Sequence, residues 1–311
     1  MSILISVIIP VYNASAFISG CVESFSKQSL QNFELIFIDD CSKDDSVSVI
    51  EEYASKDKRI KLIKLSKNSG PMIAREVGYN HATAKYIVFC DADDVMPANA
   101  LSLLYEKAIS TDSDIVSGNI ELSYPNGQTT LWGSHLNYGN DRNGVVKALL
   151  KGELRHNIIA KLYKRDLFSN FQYLSIPNLK YFEDYLLMLQ IANNAMTVTQ
   201  IDDIVYIYNQ VATSSTHQDY NKKRVEDEIS AHKFVYDMFI SDKELSNYVI
   251  SNCQRSLSRI LAKGFPAQEL VSKYGFLDIL KISSMFKNNT LKDFVKMMIQ
   301  TKILRFKSRL I

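Results

Sequence analysis

The chain has 311 residues, enough to bury a large core as one domain or as one domain with an appendage. Its 36 basic and 34 acidic residues leave a net charge of +2, which argues against a bulk nucleic-acid binder. The cysteines Cys21, Cys41, Cys90 and Cys253 form no CxxC pair, and no run reaches the roughly 18 apolar residues of a spanning helix, so the expectation is reduced thiols in the cytoplasm and at most peripheral membrane contact.

The apolar run Ile3 to Val11 lacks a basic leader and a small-residue cleavage site, so it reads as the first strand rather than a signal peptide. Strand-like runs recur at Ser6 to Val11, Phe33 to Ile38, Ile60 to Leu65, Tyr86 to Cys90 and Asp114 to Ile120. Between them, Ala14 to Gln28, Asp44 to Ser55, Pro71 to Ala82 and Ala98 to Ile109 have helical length and spacing. This alternation predicts an α/β fold with a mixed, mainly parallel sheet covered on both faces. Tyr124-Pro125-Asn126-Gly127 predicts a hairpin turn, after which Ile158 to Tyr163 and Thr197 to Tyr208 read as strands around a helix at Tyr181 to Ala192. From about Tyr220 the pattern is helical, broken near Gly264-Phe265-Pro266 and Asn288-Asn289. The boundary falls near His217 to Asp219, giving a first domain over 1–217 and a helical region over 218–311.

Each strand of the first half ends in polar residues, and in a parallel sheet those ends lie along one edge, where open α/β sheets bind ligands. They are Pro10-Val11-Tyr12-Asn13, Asp39-Asp40-Cys41-Ser42-Lys43-Asp44, Asn68-Ser69-Gly70-Pro71 and Asp91-Ala92-Asp93-Asp94. If the backbone stays extended, Asp91 and Asp93 project from the same side and can grip one divalent cation. Alternatively the acids form a solvated turn in which Asp93 or Asp94 caps the next helix. Asp44 and Ser42 have the same capping alternative, Tyr12 that of a packed aromatic, and Asp40 that of a turn residue. Pro71 opens a helix whose free N–H groups can face an anion, with Arg75 one turn on as a fixed charge or a surface residue.

Together Ile5 to Asn13, Asp39 to Asp44, Asn68-Ser69-Gly70 with Ala74-Arg75 and Gly78, and Asp91 to Asp94 with Pro97 resemble the nucleotide-sugar domain of family 2 glycosyltransferases, of the GT-A fold. The resemblance is strong over residues 3 to 110, looser to about 217 and absent from the helical tail. It implies inverting transfer from a nucleoside diphosphate sugar, with Asp40 meeting the base, Tyr12 lying against it, Asp91 near ribose and diphosphate, and Asp93 on Mn²⁺ or Mg²⁺. Pro10, Asn13, Asn68, Gly70, Arg75 and Ala92 complete the implied donor site. Cys41 stands where a glycine is usual, and Glu76 where the family usually has asparagine.

Glu183-Asp184, before the apolar Tyr185-Leu186, resembles the family's acidic pair that supplies the catalytic base; alone, it reads as first-turn acids favourable to the helix dipole. Tyr206 to Gln210 with Ser214 to His217 resembles the loop after the last strand, which in related enzymes folds over the donor. His217 is there a candidate third metal ligand beside Asp93 and Asp91, or a surface histidine. The resulting expectation is a metal-dependent inverting glycosyltransferase that uses a UDP-sugar and a glycan or lipid-linked acceptor for cell-surface polysaccharide. A receiver-like regulatory module needs only about 120 residues, and it leaves Glu183-Asp184 unexplained. A sugar nucleotidylyltransferase would need a glycine-rich basic loop where Pro10-Val11-Tyr12-Asn13 stands. At the end of the tail, Ile299, Ile303, Phe306 and Leu310 form one stripe beside Lys302, Arg305 and Arg309, a pattern suited either to an anionic membrane surface or to packing on the helical region. Nothing in the sequence specifies an oligomeric state.

Overall fold

The structure is a computed structural model and describes residues 2–133, 141–169, 176, 179–210 and 220–265. The chain divides into two compact units, Met1–Leu174 with Leu187–Gln218, and Ser175–Leu186 with Asp219–Ile311.

The first unit is built on one mixed sheet of β1 (Ile5–Val11), β2 (Phe33–Asp39), β3 (Ile60–Lys64), β4 (Tyr86–Phe89), β5 (Ile115–Ser123), β6 (Thr129–Trp132), β7 (Lys161–Lys164) and β8 (Val198–Asn209). The order is β3-β2-β1-β4-β7-β5-β6, with β8 also paired to β5. Strands β1 and β2 read as near-continuous apolar runs because helices cover both faces of the sheet around them. Their parallel register sets Val11 beside Asp39, and β1 also sets Ile8 beside Phe89 of β4. The carboxyl ends of β1, β2 and β4 therefore share one edge.

Helices α1 (Ser15–Ser26), α2 (Ser46–Lys56), α3 (Pro71–His81) and α4 (Ala100–Thr111) fill the predicted intervals. Gly78 lets α3 lie close on the sheet, since a Cβ there would come within 2.3 Å of Ile8 Cγ2 and 2.8 Å of Ile38 Cδ1.

Beyond β5 the parallel rhythm ends. The Tyr124–Gly127 turn forms as predicted, with Gly127 at φ 80°, and joins β5 to antiparallel β6. Strand β7 enters antiparallel between β4 and β5, and it starts at Lys161 rather than Ile158 because Ala160 turns the chain at φ 56°. Helix α5 (Arg142–Lys151) was not anticipated, although Asp141 caps its start by accepting from Gly144 N–H at 2.7 Å and Gly152 closes it at φ 80°.

Helix α6 (Glu183–Asn194) lies where a helix was predicted, and its first residues, through Leu186, group with the second unit. Among the described residues that unit otherwise contains α7 (Lys222–Phe239) and α8 (Ser246–Ala262), after which Gly264 turns at φ 88°. The basic stripe from Ile299 and the Asn288-Asn289 break lie outside the described residues. Among the described residues no helix is long and apolar enough to cross a membrane.

Candidate functional site

Past the end of β4, Asp91–Asp94 form a turn in which Asp94 N–H donates to the Asp91 carbonyl at 3.2 Å. The extended backbone that would align Asp91 with Asp93 does not occur, because Val95 immediately bridges antiparallel to Ile207 of β8. The turn alternative holds, but its capping role does not, since α4 begins at Ala100 without a side-chain cap. What holds the turn is β8. Buried Asp94 accepts the Tyr206 hydroxyl on Oδ2 at 2.7 Å and Asn209 N–H on Oδ1 at 2.8 Å. The Tyr206 hydroxyl accepts Asp91 N–H at 3.0 Å, and Asn209 Nδ2 donates to the Asp93 carbonyl at 2.8 Å.

Three acids in one turn crowd their charge. Burial pushes Asp94 up to about 8, with the charges of Asp91 and Asp93 adding to it. Asp93 is raised as well, by burial and then by Asp91. Hard carboxylate oxygens under mutual repulsion are a fit donor set for Mg²⁺ or Mn²⁺. Among the described residues no group of three His, Cys, Asp or Glu forms a complete metal cage. One or two carboxylates nevertheless suffice where a cation is shared with phosphates. His217 lies outside the described residues.

Asp40 follows β2 and is 3% exposed. Its Oδ1 accepts Ser69 N–H at 2.7 Å and its Oδ2 accepts Gly70 N–H at 2.8 Å. These two donors, just ahead of α3, are thus occupied, while each oxygen of Asp40 keeps a second lone pair. Gly70 sits at φ 87°, which suits glycine. The loops after β1 and β2 are tied in the same way. Asn13 N–H donates to Ser42 Oγ at 3.0 Å, Asn13 Oδ1 accepts Lys43 N–H at 2.7 Å, and Ser46 Oγ accepts Ala14 N–H at 2.9 Å. Asp44 takes Ser15 N–H at 3.0 Å and Ser46 N–H at 3.1 Å, so it serves the starts of both α1 and α2. Burial alone would raise its carboxyl, yet bonds from Ser46 and Ser15 hold it well below the usual range. Tyr12 is no packed aromatic: it is 51% exposed, beside exposed Asn13 and half-buried Pro10. Asn68 is exposed and Ala92 buried.

Arg75 is buried on α3, not a surface residue, and its Nη2 donates to Asp91 Oδ1 at 2.7 Å. Glu76, next to it, is raised by burial. Asp40, Gly70, Arg75, Asp91 and Asp93 thus gather at the sheet edge of the first unit. Glu183 and Asp184 instead open α6 within the second unit, both partly exposed. Sequence reading missed the bracing residues Tyr206 and Asn209. The sequence puts Tyr206 to Tyr208 both at the end of a strand and in the loop after it; the strand reading holds, and β8 runs on through Asn209.

A comparison with protein families matches the description Glycosyl transferase family 2 to residues 6–171, more than half of the chain. Glycosyltransferase GlyG of Streptococcus pneumoniae serotype 4 is 26% identical over 269 residues, 84% of this chain and 85% of that protein. The putative teichuronic acid biosynthesis glycosyltransferase TuaG of Bacillus subtilis is 40% identical over 91 residues, 29% of this chain and 36% of that one. The crystal structure of S. aureus TarS 1-349 in complex with UDP-GlcNAc aligns with a TM-score of 0.70 at 20% identity, over 88% of this chain and 80% of that one.

Proposed function

The chain belongs to glycosyl transferase family 2, and from that premise we propose that it moves a sugar from a UDP-sugar to a hydroxyl of a glycan or lipid-linked glycan, with inversion, in the synthesis of a cell-surface polysaccharide. Membership decides against the receiver and nucleotidylyltransferase alternatives. The observation that carries the donor reading is the shared edge of β1, β2 and β4, where Asp40, Asp91 and Asp93 follow parallel strands. The UDP-GlcNAc named with TarS supports a uridine nucleotide, and the teichuronic acid named with TuaG supports a surface polymer.

In this reading the exposed ring of Tyr12 lies against the base, and a lone pair of Asp40 receives a base N–H. Pro10, Asn13, Asn68, Gly70 and Ala92 shape the rest of the nucleotide-sugar site. Arg75 holds the Asp91 carboxylate toward ribose and diphosphate. Asp93 and Asp91, with His217 as a further candidate, would hold Mn²⁺ or Mg²⁺, which supplies charge stabilisation for the leaving diphosphate when bound. Asp184 takes the proton of the acceptor hydroxyl as that oxygen bonds to the anomeric carbon, while the bond from that carbon to the diphosphate oxygen breaks on the opposite face. Glu183, about 100° away around the helix, orients the site. Residues 1–217 carry donor binding and catalysis, and 218–311 serve the acceptor or an anionic membrane surface on the cytoplasmic side.

The test is nucleotide release from a panel of UDP-, GDP- and CMP-sugars, with and without divalent cation, followed by the anomeric configuration of the product. A UDP-sugar alone should turn over, with inversion. Retention of configuration, or turnover only of another nucleotide sugar, would overturn the reading.

A further inference from the structure

In the second unit the segment that carries Glu183 and Asp184 is held from α7. Asp227, 3% exposed, uses Oδ2 to accept Lys180 N–H at 2.9 Å and Tyr181 N–H at 3.1 Å. Its Oδ1 pairs with Lys223 Nζ at 2.7 Å. His232, 4% exposed, stacks on the ring of Tyr185 with centroids 5.0 Å apart and planes at 26°. The same imidazole meets the Phe182 ring edge-on at 6.1 Å, and its Nδ1 lies 2.8 Å from the Glu228 carbonyl. From α8, Asn252 Oδ1 accepts the Tyr185 hydroxyl at 2.6 Å.

These contacts fall on residues 180, 181, 182 and 185, and so bracket the acidic pair on both sides. Between them Phe182 stands at φ 68°, a left-handed conformation that a bulky side chain adopts only where its surroundings impose it. Its carbonyl accepts Leu186 N–H at 3.2 Å, so this residue sets the direction in which α6 departs. A buried carboxylate spent on two N–H groups of an irregular segment, together with an imidazole wedged between the two flanking rings, fixes that direction from outside the helix.

We propose that Asp227 and His232 are positioning residues that aim Glu183 and Asp184, so that part of the helical unit's role is to hold the proton acceptor. The proposal rests on reading Asp184 as that acceptor. Neither residue touches the reacting atoms; each acts through the Lys180–Tyr185 segment. A base displaced by about an ångström loses up to roughly 10²-fold in rate. Loss of either residue therefore lowers turnover and leaves nucleotide binding unchanged.

The experiment measures kcat for sugar transfer and the UDP dissociation constant for the full chain carrying Asp227→Ala, His232→Ala, Asp184→Asn and each alanine variant combined with Asp184→Asn. Asp227→Ala and His232→Ala should each lower kcat by roughly 10- to 10²-fold at unchanged UDP affinity. Asp227→Asn, which keeps an acceptor oxygen, and His232→Phe, which keeps the ring, should restore most of it. In the Asp184→Asn background the alanine changes should cost little more, because groups acting through one base are not additive. Losses that multiply with Asp184→Asn, a normal kcat, or a loss confined to UDP affinity would each overturn the proposal. Normal transfer by Asp184→Asn alone would instead remove the base reading on which it rests. Should circular dichroism show Asp227→Ala unfolded, the His232→Ala and His232→Phe pair decides the matter.

Discussion

Tyr206 on β8 and Asp94 after β4 stand 112 positions apart in the chain and meet through one buried hydrogen bond of 2.7 Å. The same hydroxyl accepts Asp91 N–H, so one phenol oxygen fixes both ends of the acidic turn.

Tyr206→Phe removes only that oxygen. Asp94 Oδ2 and Asp91 N–H are left without this partner in a buried place, which costs about 1–3 kcal/mol. Urea unfolding should show a drop of that size, and calorimetric titration should show weaker UDP binding. Unchanged values for both would mean that the turn is held by the Asn209 bonds instead.

Asp93→Ala tests the cation. Metal-stimulated binding of UDP should disappear in this variant, and chelation of divalent ions should bring the unaltered protein to the same level. If Asp93→Ala keeps full stimulation by Mn²⁺, the cation is held elsewhere.

Cys41 sits at φ 63°, in the left-handed region, immediately after Asp40. For a residue with a Cβ this conformation costs about 1–2 kcal/mol. Glycine avoids that cost but loses roughly 0.5–1 kcal/mol of chain entropy on folding. Cys41→Gly should therefore raise stability by up to about 1.5 kcal/mol, read as a higher melting temperature. A lower one would show that the thiol, 3.3 Å from Lys43 Nζ, contributes more than the strain.

His232 makes stability depend on pH. Burial, helped by the positive charges of Arg259 and Arg255 and opposed by Glu228, lowers it from 6.5 to about 4. Between those values the unfolded chain binds the extra proton and the folded one does not. The stabilisation is thus complete above about 6.5 and is lost as pH falls toward 4, by about 3 kcal/mol in total. Urea midpoints at pH 7 and pH 5 should differ less for His232→Phe than for the unaltered protein; an equal difference would place the acid sensitivity on other groups.

The strands and helices up to α4 were legible because each is an uninterrupted apolar run or a helical repeat bounded by polar residues. Their parallel order alone puts the ends of β1, β2 and β4 at one edge. The glycine expected at position 41 was also informative: the left-handed backbone at Cys41 is the physical reason a glycine suits that place. Pairings made across the chain were not legible. Nothing in Lys161–Lys164 announces an antiparallel strand inserted between β4 and β5, since its partners are chosen by the sheet. For the same reason the sequence leaves extended backbone and turn both open at Asp91–Asp94, because the bridge from Val95 to Ile207 that ends the strand lies more than a hundred residues on. Helix α5 was overlooked although its Asp141 and Gly152 caps were in plain view.

The ties from Asn13 to Ser42 and Lys43, from Ser46 to Ala14, from Asp44 to Ser15 and from Asp40 to Ser69 and Gly70 stitch the loops after β1, β2 and β3 into one piece. A surface joined in this way has few backbone torsions left to freeze when a ligand settles on it. On the proposed reading the loops after β1, β2 and β3 should therefore meet a nucleotide as a finished mould and add no slow rearrangement of their own to its association.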